Sequence, residues 1–368
     1  MSIRDTSHYT ILASLAQPTF HTLIIRPLKQ HIERTIDNTL DGAPSALIKG
    51  ILLGQRRQLP EEFLSTFKVI GLTHILAVSG LHVGIITLIG MTIFSVLRLP
   101  RSGAVCATIL VLILYAFITN LTPSVVRASI MAGLFLIGDL MDRQTDSVNI
   151  LAVAALVILI IWPQALFALG FQLSFIATLA IVTGYGKLKG LLPERMRRSH
   201  VWWARWLRDG LAVSLAAQIG TMPIIAYSFF QTAWIAPVAN LFIGPLVFLT
   251  TTLGVLAVIV SPISLVVAGL FSAANWLVLE VMIATSAIIA AIPSALIYVS
   301  RPPLIGILLY YSVLLILLSP PQTGIIRRTM AGGGVAVIAA LVVYQTMKVD
   351  ELVVTMIDIG QGDAIYIE

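Results

Sequence analysis

Residues 71–84 read Gly-Leu-Thr-His-Ile-Leu-Ala-Val-Ser-Gly-Leu-His-Val-Gly and open the first long apolar run of the chain. They place two histidines, a serine and three glycines where aliphatic residues otherwise dominate. Polar groups at membrane depth are costly, so they face a bundle interior or a cavity rather than lipid. The spacing i, i+4, i+8 predicts that His74, Val78 and His82 stack along one face of a helix, with Ser79 three residues before His82. Gly80 and Gly84 form a small-xxx-small step, which predicts close approach of another backbone. Two readings stay open: a polar stripe lining a pathway, or two histidines that hydrogen-bond neighbouring helices and hold a bundle together.

Further polar residues interrupt later apolar runs. Arg127 follows Pro123-Ser124-Val125-Val126 at the head of the third run, where it either snorkels to headgroups or reaches a polar interior or anionic substrate. Gln172, Ser174, Gln218 and Asn240 lie at depth. Taken singly, each is interhelical glue worth about 0.6 kcal/mol; with His74, Ser79, His82 and Arg127 they form the set expected to line or shape one route. Glu280 is the acid well inside a run and needs a partner that the sequence does not name. The six histidines contain no His-Glu-x-x-His pair, so no metal site is expected. Ser79 lies in Val-Ser-Gly-Leu-His rather than a Gly-x-Ser-x-Gly elbow, and no phosphate-binding loop is present. The expectation is therefore no enzyme, no cofactor and no ATP motor in this chain.

The elements that must position these residues follow from composition. Of 368 residues, 58% are hydrophobic and 11% charged, and the mean hydropathy is +0.97; soluble proteins carry about 25% charged residues. An all-α polytopic membrane protein is expected, with about ten apolar helices, some broken or re-entrant, and a short C-terminal β-hairpin. The runs are 72–97, 104–119, 124–141, 148–162, 165–184, 210–230, 234–260, 263–292, 304–319 and 330–347. The run 148–162 falls short of the roughly 20 residues of a full span, so 148–184 is alternatively a re-entrant hairpin. Pro223 and Pro245 lie inside runs and suggest kinks. Before Gly71, residues 10–20 suggest a strand. Residues 23–40 have the period of an amphipathic helix on the membrane or the bundle, and Ser45 is expected to cap a short helix to Leu53. Trp202, Trp203 and Trp206 read as interfacial anchors. Residues 352–359 and 364–368 alternate like strands around Gly360-Gln361-Gly362-Asp363.

Beside the composition stand several motifs: Leu53-Gly54-Gln55-Arg56, the run Gly71 to Val83, Pro123 to Ala132, Gly170 to Phe175, Ala217-Gln218 with Met222-Pro223, and Ala239-Asn240 with Gly244-Pro245. In these, in this order, the chain resembles the ComEC DNA-internalisation proteins of bacterial competence from about Ala46 to Glu368. Asp358 to Ala364 resembles the opening of the metallo-β-lactamase-like domain that follows the membrane part in that family. The resemblance implies an inner-membrane channel for single-stranded DNA, with DNA-delivery proteins outside and a separate energy-supplying protein inside as partners, besides membrane lipid. It divides the chain into a truncated extracytoplasmic or interfacial segment (1–43), a channel domain (44–347) and the first strands of a truncated last domain (348–368). The rivals are a small-molecule or lipid-linked transporter, a membrane hydrolase using Ser79, and a non-functional fragment.

The net charge of +6 is unevenly spread: residues 185–209 hold seven Lys and Arg against two acids. The positive-inside rule puts this loop in the cytoplasm and both chain ends outside it. An alkaline phosphatase reporter, active only outside the cytoplasm, is expected to be silent when fused within 185–209 and active when fused beside Arg301. Activity within 185–209 would reverse the orientation.

Overall fold

A segment in a membrane must satisfy its backbone N–H and C=O groups internally, so the apolar runs fold as helices. The computed structural model describes residues 20–55, 59–76, 78–142, 146–191, 194, 201–318, 354–358 and 363–367. Its helices are α1 (Arg26–Asp37), α2 (Gly42–Leu53), α3 (Glu61–Val69), α4 (Gly80–Val96), α5 (Arg101–Ile118) and α6 (Pro123–Leu140), then α7 (Ser147–Ile161), α8 (Leu169–Leu191), α9 (Trp202–Phe229), α10 (Ala236–Val260), α11 (Leu265–Ala290) and α12 (Leu304–Leu318). Short strands β1 (Gln231–Ala233) and β2 (Leu296–Tyr298) pair, as do β3 (Val354–Asp358) and β4 (Asp363–Ile367). Six helices (α5, α6, α8, α9, α10 and α11) are long and apolar enough to cross a membrane, and α2, α4, α7 and α12 are shorter apolar helices. The chain is a multi-pass, all-α membrane protein. The run 330–347 and the strand expected at 10–20, apart from its last residue, lie outside the described residues.

The chain divides into two units, one of Met1–Met222 with Thr232–Ile297 and one of Pro223–Gln231 with Tyr298–Glu368. The first is organised around segments too short to cross. Helix α2 has 12 residues, eight of them buried, including Leu47, Ile48, Ile51 and Leu52. At about 1.5 Å per residue it rises only about 18 Å, and it is enclosed by protein. Its core neighbours include Ile243 and Val247 of α10 and Leu279 and Met282 of α11, within one cluster. Its C-terminal carbonyls are provided for. Gly54 adopts a left-handed φ of 74° and its N–H bonds Gly50 O, while the buried Tyr115 Oη donates to Leu52 O at 3.1 Å. Helix α1 lies on the bundle: Thr35 Oγ1 and Ser261 Oγ are 2.9 Å apart, and His31 Nε2 is 3.1 Å from the same hydroxyl.

The short helix expected to start at Ser45 instead begins at the left-handed Gly42 (φ 66°), after an extended Asp41 whose side chain makes no cap bond; Ser45 lies inside the helix and its hydroxyl donates to Asp37 Oδ1 at 3.5 Å. The close approach expected at Gly80 and Gly84 occurs elsewhere. A Cβ on Gly84 would meet nothing within 4 Å and one on Gly80 only an ordinary contact with Ala128 at 3.6 Å, whereas one on Gly220 would lie 2.4 Å from Ala180 Cβ. Residues 148–184 resolve into α7, a 3-10 turn at Pro163–Phe167, and α8, which is long enough to span. Pro223 and Pro245 lie inside continuous helices. In the second unit Arg301 lies over the Tyr227 ring at 3.9 Å, and Val299 N–H donates to Phe230 O at 3.0 Å. The hairpin β3–β4 is antiparallel, running from Val354 opposite Ile367 to Asp358 opposite Asp363.

Between α3 and α4 the helical ladder stops at Gly71, which takes a left-handed φ of 75° and packs so tightly that a Cβ would fall 2.7 Å from Ala233 Cβ and 2.9 Å from Ala236 Cβ. Gly71→Ala therefore meets both backbone strain and a clash, and is expected to destabilise the protein by about 1–3 kcal/mol. The check is the thermal midpoint in uncharged detergent; an unchanged midpoint would contradict this packing.

Candidate functional site: a polar turn between two helix starts

Residues 71–76, 78 and 79 form a turn rather than the first turns of a helix. This corrects the expected stacking of His74, Val78 and His82 on one helical face. The physical reason is the glycine at 71 and the serine at 79: the first adopts a conformation that L side chains avoid, and the second caps the next helix. Leu72, Ile75, Leu76 and Val78 are buried and pin the turn in the core, while Thr73 and His74 are exposed.

Ser79 is the N-cap of α4 in extended conformation (φ −120°, ψ 175°), and His82 takes the N3 position of a capping box. The Ser79 amide donates to His82 Nδ1 at 3.0 Å, with Ser79 Oγ also 3.0 Å from that nitrogen. A neutral imidazole that accepts at Nδ1 carries its proton on Nε2. His82 is 0% exposed, and its Nε2 has no partner among the described residues. His74 lies near enough to interact electrostatically with His82, although the two do not share a helix.

The start of α6 lies beside that of α4. Ser124 Oγ donates to Val78 O at 2.9 Å, and Val78, Val83 and Val125 share one apolar cluster with Leu112 and Tyr115 of α5. Arg127 stands at the second turn of α6, 3% exposed, with Nε and Nη1 buried and unpartnered. Its guanidinium lies 5.6 Å from the Phe175 ring centroid of α8. It is thus held inward and does not snorkel. Phe175 belongs to the same helix as Gln172 and Ser174, both half-buried; Gln172 Nε2 donates to Leu166 O at 3.0 Å, which closes the turn before α8.

The last two expected residues act apart from this cluster. Gln218 Nε2 donates to Ala233 O at 2.8 Å and so fixes the strand residue on which Gly71 rests. Asn240 Nδ2 donates to Ser214 Oγ at 2.8 Å and lines a separate open cleft of about 540 Å³ with Tyr185, Asp209 and Trp206. Asp209 pairs there with Lys189 and Arg208. Glu280 is half-buried on α11. Sequence reasoning missed Ser124 as the tie between two helix starts, Tyr115 as the cap of α2, and Phe175 as the seat of Arg127. Ser124 two residues before Val126 gave no local signal, since its partner is 46 residues away.

Replacing Ser79 by Ala removes the cap and is expected to cost about 0.5–2 kcal/mol, whereas Ser79→Asp, another capping residue, retains most of it. Equal thermal midpoints for Ser79→Ala and the parent would contradict the capping role.

A profile of the family described as "Competence protein" matches residues 51–323. The chain is 30% identical over 236 residues to ComE operon protein 3 of Bacillus subtilis (strain 168), covering 64% of this chain and 29% of that protein. It is 30% identical over 230 residues to an uncharacterized protein of Aquifex aeolicus (strain VF5), covering 62% of this chain and 51% of the relative. It is 24% identical over 243 residues to the uncharacterized protein YcaI of Escherichia coli (strain K12), covering 61% and 30% respectively. The chain thus spans between 29% and 51% of the length of these curated relatives. No solved structure matches it.

Proposed function

The chain belongs to the Competence protein family, and we propose that it forms the membrane conduit through which single-stranded DNA enters the cell during natural transformation. The observation that carries this reading is the turn 71–79 with the starts of α4 and α6. There an otherwise apolar bundle keeps His82 and Arg127 buried, with N–H groups that find no acceptor among the described residues. Buried donors without partners cost about 1–3 kcal/mol each, more for a charged group, and a polyanion passing beside them supplies the missing acceptors. The resemblance to DNA-internalisation proteins supplies the cargo. One arginine suits transport better than a dense cationic lining, because conduction requires binding weak enough for release.

In this reading His74, Ser79, His82 and Arg127 face the strand, Gln172 and Ser174 shape the helix that seats Arg127, and Gln218 steadies the turn through Ala233. The protein lies in the bacterial plasma membrane with loop 185–209 in the cytoplasm. Delivery proteins outside and an energy-supplying protein inside complete the system. We assign no hydrolytic step to Ser79, since the Nδ1 lone pair that would take its proton already accepts the Ser79 amide. The cleft of about 540 Å³ at Asn240 favours a second reading, a small-molecule or lipid-linked transporter, because it is of ligand-pocket size.

The test is import of labelled DNA by cells whose only copy is this protein, with and without His82→Ala. Loss of import at unchanged protein level is expected. Normal import with His82 replaced, alongside loss of import when Asn240 is replaced, would move the pathway to the cleft.

A further inference from the structure

We propose that the paired starts of α4 and α6 form a binding site for a phosphate oxyanion, with the guanidinium of Arg127 and the Nε2–H of His82 as side-chain donors. Helices of 17 and 18 residues begin here side by side, tied by the 2.9 Å bond from Ser124 Oγ to Val78 O. A helix start presents free N–H groups and the positive end of the dipole, a ready arrangement for phosphate. Two such starts side by side add their fields.

The helix starts alone would not make a site; the side chains do. His82 and Arg127 are 0% and 3% exposed, and both stand in the first two turns. Long side chains on helices lean toward the N-terminus, and the His82 ring is held over its own helix start by the Ser79 amide. Its Nε2, together with Arg127 Nε and Nη1, has no acceptor among the described residues, and Thr122 Oγ1 at the cap of α6 is likewise unpartnered. The Phe175 ring occupies one side of the guanidinium without accepting its N–H groups. A buried cation without a counter-charge is strongly destabilising. Donors from two elements match a tetrahedral oxyanion, which offers acceptors in several directions; a phosphodiester keeps two non-bridging oxygens for them. On the same first turns of α4, Gly80 and Gly84 are exposed, and a Cβ at Gly84 would meet no neighbouring element within 4 Å.

That the phosphate is DNA's rests on the function proposed above, whereas a lipid headgroup carries the same chemistry. The test is isothermal titration of the full chain in uncharged detergent with hexathymidylate, with its uncharged methylphosphonate counterpart, and with short-chain phosphatidylglycerol. Hexathymidylate is expected to bind and the methylphosphonate not to. Arg127→Gln should weaken binding by about tenfold or more, as loss of a charge-assisted bond requires, while Arg101→Gln leaves it unchanged. His82→Glu is the second variant. It keeps a Ser-x-x-Glu capping box and gives Arg127 an internal partner, so it should stay folded and lose the anion. Binding of phosphatidylglycerol but not hexathymidylate, lost in both variants, would support the oxyanion site and contradict the DNA reading. Phosphate binding indifferent to both substitutions, no binding of either phosphate-bearing probe, or a His82→Glu chain that does not fold would overturn the proposal.

Discussion

Backbone that leaves the helical ladder inside a membrane has to find its hydrogen bonds from neighbouring protein, and the architecture of the first unit answers to that constraint at residues 71–79. Ser124 reaches across to the Val78 carbonyl, His82 takes the Ser79 amide, and Leu72 N–H returns to Phe67 O. Buried Leu72, Ile75 and Leu76 hold the turn in the cluster with α2 and α10, and Val78 holds it in the cluster with Val125 and α5.

The same satisfied turn leaves a remainder of donors that nothing among the described residues accepts. His82 gives its Nδ1 to the cap and keeps a buried N–H; Arg127 gives the face of its guanidinium to Phe175 and keeps two buried nitrogens. Structural histidines and arginines in bundles end on carbonyls or carboxylates. These do not. The cleft at Asn240 has the opposite character: Asn240 is bonded to Ser214, and Lys189 and Arg208 both already pair with Asp209. An anion has less to gain there than at the α4 and α6 starts.

Much of this was legible in the sequence because it depends on short-range pattern. Apolar length identified the spans, the alternation around Gly360 and Gly362 identified the β3–β4 hairpin, and the histidines, serine and arginine were singled out by type and place. The geometry of the site was not legible. A period of four residues made His74, Val78 and His82 look like a helical stripe, while the left-handed φ of Gly71 and its tight packing against Ala233 and Ala236, more than 160 residues away, belong to the tertiary structure. Ser79 and His82 read as a possible pair, yet their relation is a helix cap, with histidine in the place that glutamate or glutamine commonly holds. Helix α2 was legible as a short helix, but its burial among α10 and α11 is a long-range fact that no local signal carries.

The central claim is that the incoming strand passes the turn 71–79 and the starts of α4 and α6. The most direct measurement places a photo-crosslinking side chain at His74 of the protein in cells during uptake of labelled DNA, with a second at Val266, which is 77% exposed on α11, as the comparison. The account predicts DNA captured at His74 and none at Val266. Capture at Val266 or beside Asn240, with none at His74, would contradict it.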